Sequence, residues 1–312
     1  MKQKIILTIW SALIFACASG QTVEKISFND KNPVDDYYLL VKPVSSNIRG
    51  VLVLLPGYGE LAENIFPQTK LFNVAYVNNI LTIAIACGQK IYTDEAVIDR
   101  LNRGLTDIIK KYPTITKDNF VIGGFSAGGT ISLRYAEYCV ENPSKVPINP
   151  KGVFAVDSPV DLAGIYDYFQ REIKKNYSQA GVSEANMISN IMSKEIGTPE
   201  TNPKRYNELT PFNHKLENEG NEKYLKNMAV RLYEDIDVEW QLKERRRSLY
   251  DTNILNASEL INRLMLMGNE RAEFMTSKRP GYRSNGMRHP HSWSIVDEVE
   301  FIQWTLNLFN TK

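Results

Sequence analysis

Asn119-Phe-Val-Ile-Gly-Gly-Phe-Ser-Ala-Gly-Gly-Thr130 is the stretch whose reading decides the fold. Its first half is apolar and β-branched, as a buried strand is. Its second half opens Thr130-Ile-Ser-Leu-Arg-Tyr-Ala-Glu-Tyr138, which reads as a helix. Between them stands Gly124-Phe-Ser-Ala-Gly128, a G-x-S-x-G. The letters alone are a weak signal. Their place between a strand and a helix strengthens them, because a serine on a sharp strand-to-helix turn stands proud of the sheet. The glycines have a steric reason. A strained turn crowded by a strand and a helix leaves no room for Cβ atoms. A glycine-rich turn that only packs a helix on a sheet is the plainer alternative.

Working outward, short apolar runs occur at 23–28, 37–42, 50–55, 80–86, 119–124, 152–157, 228–234 and 272–276. Those at 51–55 and 80–86 are apolar without alternation, which marks strands covered on both faces. Helical patterns lie between them. Over 93–112, Val97, Leu101, Leu105, Ile108 and Tyr112 recur every three or four residues, with Thr93 as expected N-cap and Pro113 as the stop. Ile295, Val299, Ile302, Leu306 and Phe309 form a stripe on a last helix. Strands alternating with helices predict an α/β fold, a mostly parallel sheet of about eight strands with helices on both faces. Residues 165–227 are too long for one crossover helix and are polar. They read as a lid-like helical insertion over the sheet edge rather than a separate domain.

Composition excludes other classes. In 312 residues, 43% hydrophobic and 23% charged is ordinary for a globular protein, and 18 Gly with 14 Pro are near background. A formal net charge of +1 gives no bulk attraction to nucleic acid or anionic membranes. Residues 1–20 form a separate unit. Lys2 and Lys4 precede an apolar run over 5–16, then Cys17-Ala-Ser-Gly20. That is the layout of a signal peptide cleaved before Gln21, leaving one domain over 21–312. The run is short for a membrane span, which takes about 20 apolar residues. An N-terminal anchor and a lipoprotein acylated at Cys17 are the alternatives, and each places the folded part in a secreted or periplasmic setting. No other segment reads as a membrane span.

With elbow, alternating elements and insertion together, the chain resembles the α/β-hydrolase superfamily, in its secreted esterase/lipase-like branch, over most of 36–309. The resemblance implies a catalytic triad in the order Ser, acid, His, with Ser126 as nucleophile. A serine hydroxyl needs a base of near-neutral pKa. The chain has three histidines. His289 and His291 lie in Arg288-His-Pro-His-Ser-Trp-Ser-Ile295, where the family places its base. His291 is expected, on its nearness to the last helix and its His-Ser-Trp context, with His289 as the alternative. His214, in the insertion, reads as a surface residue. A metal site is not expected, since two histidines one residue apart do not make a tetrahedral set.

The resemblance puts the acid in the turn after the strand 228–234. Asp237 is expected there, with Asp235 next, then Glu234, Glu239 or Asp161. Solvated acids at a helix start are the bland reading of this cluster. By the same resemblance Tyr58 and Ala127 supply the oxyanion-hole N–H groups, with Pro56-Gly-Tyr-Gly59 standing where the family has His-Gly. Of the mature cysteines, Cys87 sits at the Ser126 edge of the sheet. Cys139 lies thirteen residues from Ser126 along a helix, about 20 Å at 1.5 Å per residue. A disulfide needs Cα atoms within about 7 Å, so two free, buried thiols are expected.

The function these expectations describe is an exported serine esterase, with no cofactor and no nucleic-acid partner. The polarity of 165–227 suggests a small-molecule, short-chain or sugar-linked ester. A small serine peptidase, or a non-catalytic carbohydrate- or lipid-binding protein on the same scaffold, are the competing readings.

Overall fold

A computed structural model describes residues 21–29, 36–217 and 220–311. The expected signal peptide, with Cys17, lies outside the described residues.

The strands are β1 (Val23–Ser27), β2 (Tyr37–Val41), β3 (Gly50–Leu55), β4 (Ile80–Ala84), β5 (Phe120–Phe125), β6 (Gly152–Val156), β7 (Ala229–Glu234) and β8 (Ala272–Thr276). They form one eight-stranded sheet in the order β1-β2-β4-β3-β5-β6-β7-β8. β2 pairs antiparallel with β1 and β4, and the rest is parallel. The helices are α1 (Leu71–Val77), α2 (Glu95–Lys111), α3 (Ala127–Glu141), α4 (Leu162–Lys175), α5 (Gln179–Glu195), α6 (Pro203–Leu209), α7 (Val238–Trp240), α8 (Ile254–Leu266) and α9 (Glu298–Asn310).

The unbroken apolar character of β3 has a direct cause. Val51, Val53 and Leu55 enter one core with Leu101 and Leu105 of α2 and Leu260 and Leu264 of α8. Leu52 and Leu54 enter the opposite core with Leu71 of α1 and Phe301 and Ile302 of α9. Both faces are dry, so no position of the strand can be polar. A third cluster joins Leu162, Tyr168 and Phe169 of α4 to Ala185, Ile188 and Met192 of α5 and to Ala127. α4, α5 and α6 therefore pack over the start of α3 at the sheet's carboxyl edge, while Phe212 and Leu225, later in 165–227, join the sheet core.

Some local expectations are corrected. Asp94, not Thr93, caps α2, its carboxylate accepting from Val97 N at 3.0 Å, while Thr93 is buried and donates to the Ile131 carbonyl. Val299 is 62% exposed and drops out of the expected stripe, whose Ile295, Ile302, Leu306 and Phe309 are buried alongside Phe301 and Trp304. Both thiols are free, but only Cys139 is buried and Cys87 is half-buried. Burial pushes each thiol up to about 12.

Candidate active site

β5 delivers Ser126 to the carboxyl edge of the sheet with φ 54° and ψ −125°. A non-glycine residue in that region stores about 1–3 kcal/mol of strain. The surroundings hold it there. Ser126 N donates to the Val156 carbonyl at 3.0 Å, and a Cβ on Gly128 would stand 2.3 Å from the Leu55 carbonyl oxygen. The backbone can approach this closely only because residue 128 is glycine. Ser126 makes no side-chain cap on α3, which leaves Oγ facing a cavity of about 260 Å3. His291, Asp157, Tyr58 and Ala127 line the same cavity.

His291 comes from the loop between β8 and α9. Its ring lies 4.4 Å, centroid to centroid, from that of Phe125. Trp293, buried beneath, also packs on Phe125 and fixes the loop to the strand that carries the serine. His291 Nδ1 stands 3.2 Å from Oδ2 of Asp157. This leaves Nε2 as the free ring nitrogen for the cavity.

The carboxylate beside His291 is Asp157, at the end of β6, whereas the expected Asp237 is paired with Arg288. Asp237 caps α7, its Oδ1 accepting from Trp240 N at 2.9 Å and its Oδ2 from Arg288 at 2.7 Å. Those two donors hold its pKa below the usual range and use its lone pairs. Asp235 lines the cavity but accepts from Gly281 N at 2.8 Å and pairs with Arg288 at 2.9 Å. Arg288 so ties the β7 turn to the β8–α9 loop. Asp161 caps α4 and pairs with His214 Nδ1 at 2.6 Å. Glu239 bonds Lys243 on the surface.

Asp157 is an acid in a well-built niche. Its φ is 41°, its N–H donates to the Tyr233 carbonyl, and Asn253 donates to its Oδ1 at 2.6 Å. Burial works to raise its pKa, but His291, the Asn253 hydrogen bond and nearby His289 outweigh it and leave the carboxyl below its ordinary value. Glu234, wholly buried beside it, goes the other way. Burial, then the charge and hydrogen bond of Asp157, push its carboxyl well above the ordinary value.

His289 has a different environment. Its Nδ1 faces the His291 N–H at 3.1 Å, its Nε2 faces the Arg245 guanidinium at 3.2 Å, and its ring packs on Trp240. Burial, with Arg283, His291 and Arg245, pushes its pKa down to about 3. It is a neutral packing group, held among donors.

Tyr58 and Ala127, the expected oxyanion donors, both line the cavity with Ser126. Ala127 is the first residue of α3, so its N–H has no acceptor within the helix. The loop bearing Tyr58 is braced by Glu60, which accepts from Gly57 N at 2.9 Å and from Gln68 at 3.0 Å. Proline at 56 leaves this loop intact.

Toward the cavity the insertion presents Ile165, Tyr168, Phe169 and Ile188, together with Glu184. Arg245 and Arg283 also line the cavity, although the run Arg245-Arg-Arg247 reads in the sequence as a solvated helix face. Among the described residues no three His, Cys, Asp or Glu gather into a metal-binding group, and no helix is long and apolar enough to cross a membrane.

No family model matches the chain, and no curated protein matches it by sequence. Solved structures do match in shape. Carboxyl esterase 2 of the mycorrhizal fungus Tuber melanosporum superposes with a TM-score of 0.55 at 14% identity, covering 94% of this chain and 88% of its own. A fungal esterase of Rhizomucor miehei gives 0.55 at 14% identity, over 93% and 85%. Mycobacterium tuberculosis MPT51 gives 0.56 at 10% identity, over 93% and 98%. The chain has the α/β-hydrolase fold. In the α/β-hydrolase sheet described above, Ser126 follows β5 and His291 follows β8, and the carboxylate comes from β6.

Proposed function

We propose that this protein is a serine hydrolase that cleaves a carboxylic ester, with Ser126 as nucleophile, His291 as base and Asp157 as the orienting acid. The observation that carries the reading is the convergence at one cavity of a strained, uncapped serine and a histidine backed by a carboxylate. His291 takes the proton of Ser126 as Oγ adds to the ester carbonyl, and the N–H groups of Tyr58 and Ala127 receive the oxyanion. The alkoxide leaves with the proton from His291. Water, deprotonated by the same imidazole, then adds to the acyl-enzyme and releases the acid and Ser126. Asp157 holds the Nδ1–H tautomer and stabilises the imidazolium. These steps call on no cofactor.

The esterases among the structural neighbours favour an ester over a peptide bond. Export rests on residues 1–20 alone, and a secreted or periplasmic location is proposed on that basis. A fluorophosphonate probe tests the chemistry. Wild type should label on Ser126 and hydrolyse 4-nitrophenyl acetate, and Ser126→Ala should do neither. Folded protein that neither labels nor turns over would point to the binding-protein alternative.

A further inference from the structure

Arginines in a protein interior are almost always matched by carboxylates. Of the three that line this cavity only Arg247 is, as are Arg171 and Arg288 nearby. Arg247 bonds Glu172 at 3.1 Å, Arg171 bonds Asp251 at 2.7 Å, and Arg288 takes Asp235 and Asp237. Two are not. Arg245 donates to Ser178 Oγ and faces His289, both neutral. Arg283 has a backbone bond to Met287 and an aromatic contact with Phe125, its guanidinium carbon 5.6 Å from the ring centre. Its guanidinium has no hydrogen-bond or ion-pair partner among the described residues.

Both cations line the cavity that holds Ser126 and His291. Arg283 is set in a tight turn closed by the bridge Tyr282–Arg288, so its place is fixed by backbone. Three carboxylates act on Arg283 from farther off. Glu60 is engaged by Gly57 and Gln68, Asp157 by His291 and Asn253, and Glu184, exposed on α5, also lines the cavity. Burial holds the Arg283 guanidinium below its ordinary pKa, and the like charge of Arg245 adds to this. The opposite wall is apolar, made by Ile165, Tyr168, Phe169 and Ile188.

We propose that the substrate is an ester that also carries a carboxylate, which binds the guanidinium of Arg283 with support from Arg245 while its apolar body lies on the wall of the insertion. This rests on the hydrolase reading above and narrows it. A planar guanidinium fork fits a carboxylate through two parallel hydrogen bonds, and a site that excludes water strengthens them. A neutral ester would leave the cation desolvated and unpaired.

Two ester pairs test this, one with the charge on the alcohol side and one with it on the acyl side. They are 4-acetoxybenzoate against methyl 4-acetoxybenzoate, and mono(4-nitrophenyl) glutarate against 4-nitrophenyl pentanoate, each corrected for spontaneous hydrolysis. The readout is the ratio of kcat/KM, charged over neutral. In wild type one pair should give a ratio of about ten or more, falling about tenfold in Arg283→Gln and less in Arg283→Lys. Ratios at or below one in both pairs overturn the proposal, as does a ratio that Arg283→Gln leaves unchanged. If Glu184→Gln lowers the ratio as far as Arg283→Gln does, the arginine serves that glutamate and the proposal fails. Fluorophosphonate labelling of Ser126 separates this from failure of the hydrolase reading. Should Ser126 stay unlabelled and all four esters stay intact, 4-hydroxybenzoate and its methyl ester decide the anion site by thermal shift. A rise in Tm with the acid alone, lost in Arg283→Gln, supports it, and no rise refutes it.

Discussion

Oδ2 of Asp157 stands 3.2 Å from Nδ1 of His291, while the carboxylate of Asp237 is bound to Arg288 at 2.7 Å. Two acids from adjacent strand ends thus have separate partners. Asp157→Asn should lower kcat by about a thousandfold or more, by presenting the wrong hydrogen-bond partner to the imidazole. Asp237→Asn keeps the cap on α7 and should stay within about threefold of wild type. Steady-state kinetics on one ester checks both, and the reverse pattern would restore Asp237 as the acid.

Burial and Asp157 raise the Glu234 carboxyl well above its ordinary pKa, so at acid pH Glu234→Gln should hold Tm within a few degrees. The pH dependence should differ more. A carboxyl whose folded pKa is raised gives stability that is full below its unfolded value and is lost as pH rises through the folded one. Wild type should therefore lose stability on going up from about pH 4.5, and Glu234→Gln should lose less. Urea midpoints from pH 4 to 9 measure the difference.

The two outlying histidines should titrate in opposite senses. The Asp161 hydrogen bond raises His214, so its stabilisation is full below about pH 6.5 and fades as pH rises through the folded pKa. His214→Gln should then cost more Tm at pH 5.5 than at pH 9. His289 is pushed down to about 3, so the unfolded chain takes up its proton first and stability falls as pH drops below about 6.5. Imidazole NMR should show His289 still neutral at pH 5, and a normal titration there would contradict the packing described.

Gly128→Ala puts a methyl 2.3 Å from the Leu55 carbonyl oxygen and 2.4 Å from that of Pro56. Backbone must move on both sides of the elbow, at a cost of about 2–3 kcal/mol or more. Activity should fall much further than Tm, because Ser126 and the Ala127 N–H shift together. Equal Tm and activity to wild type would mean the elbow is looser than it stands here.

The sharp turn at Ser126, the alternation of strands and helices and the loop that carries His291 were legible in the sequence because each depends on local pattern. Buried strands must be apolar, sharp turns need glycine, and the chain has few imidazoles to choose from. The proposed acid was not legible. Asp157 closes the apolar run over 152–157 and reads as the last strand residue, whereas 234–239 displays four acids within six positions of turn-like sequence. What separates them is long-range. Asn253 and His291, some hundred residues away or more, reach Asp157, and Arg288 takes up Asp235 and Asp237. The insertion misled in a similar way, since its mean polarity hid an inner stripe of Ile165, Tyr168, Phe169 and Ile188.

If Asp157 is the orienting acid, as proposed, the proton relay leans on β5, β6 and a single loop. The β7 turn then acts as a buttress for that loop, since Arg288 holds both Asp235 and Asp237. Substitution in the short helices beyond it, which carry Arg245, can change what the cavity accepts while the bond-breaking apparatus stays untouched.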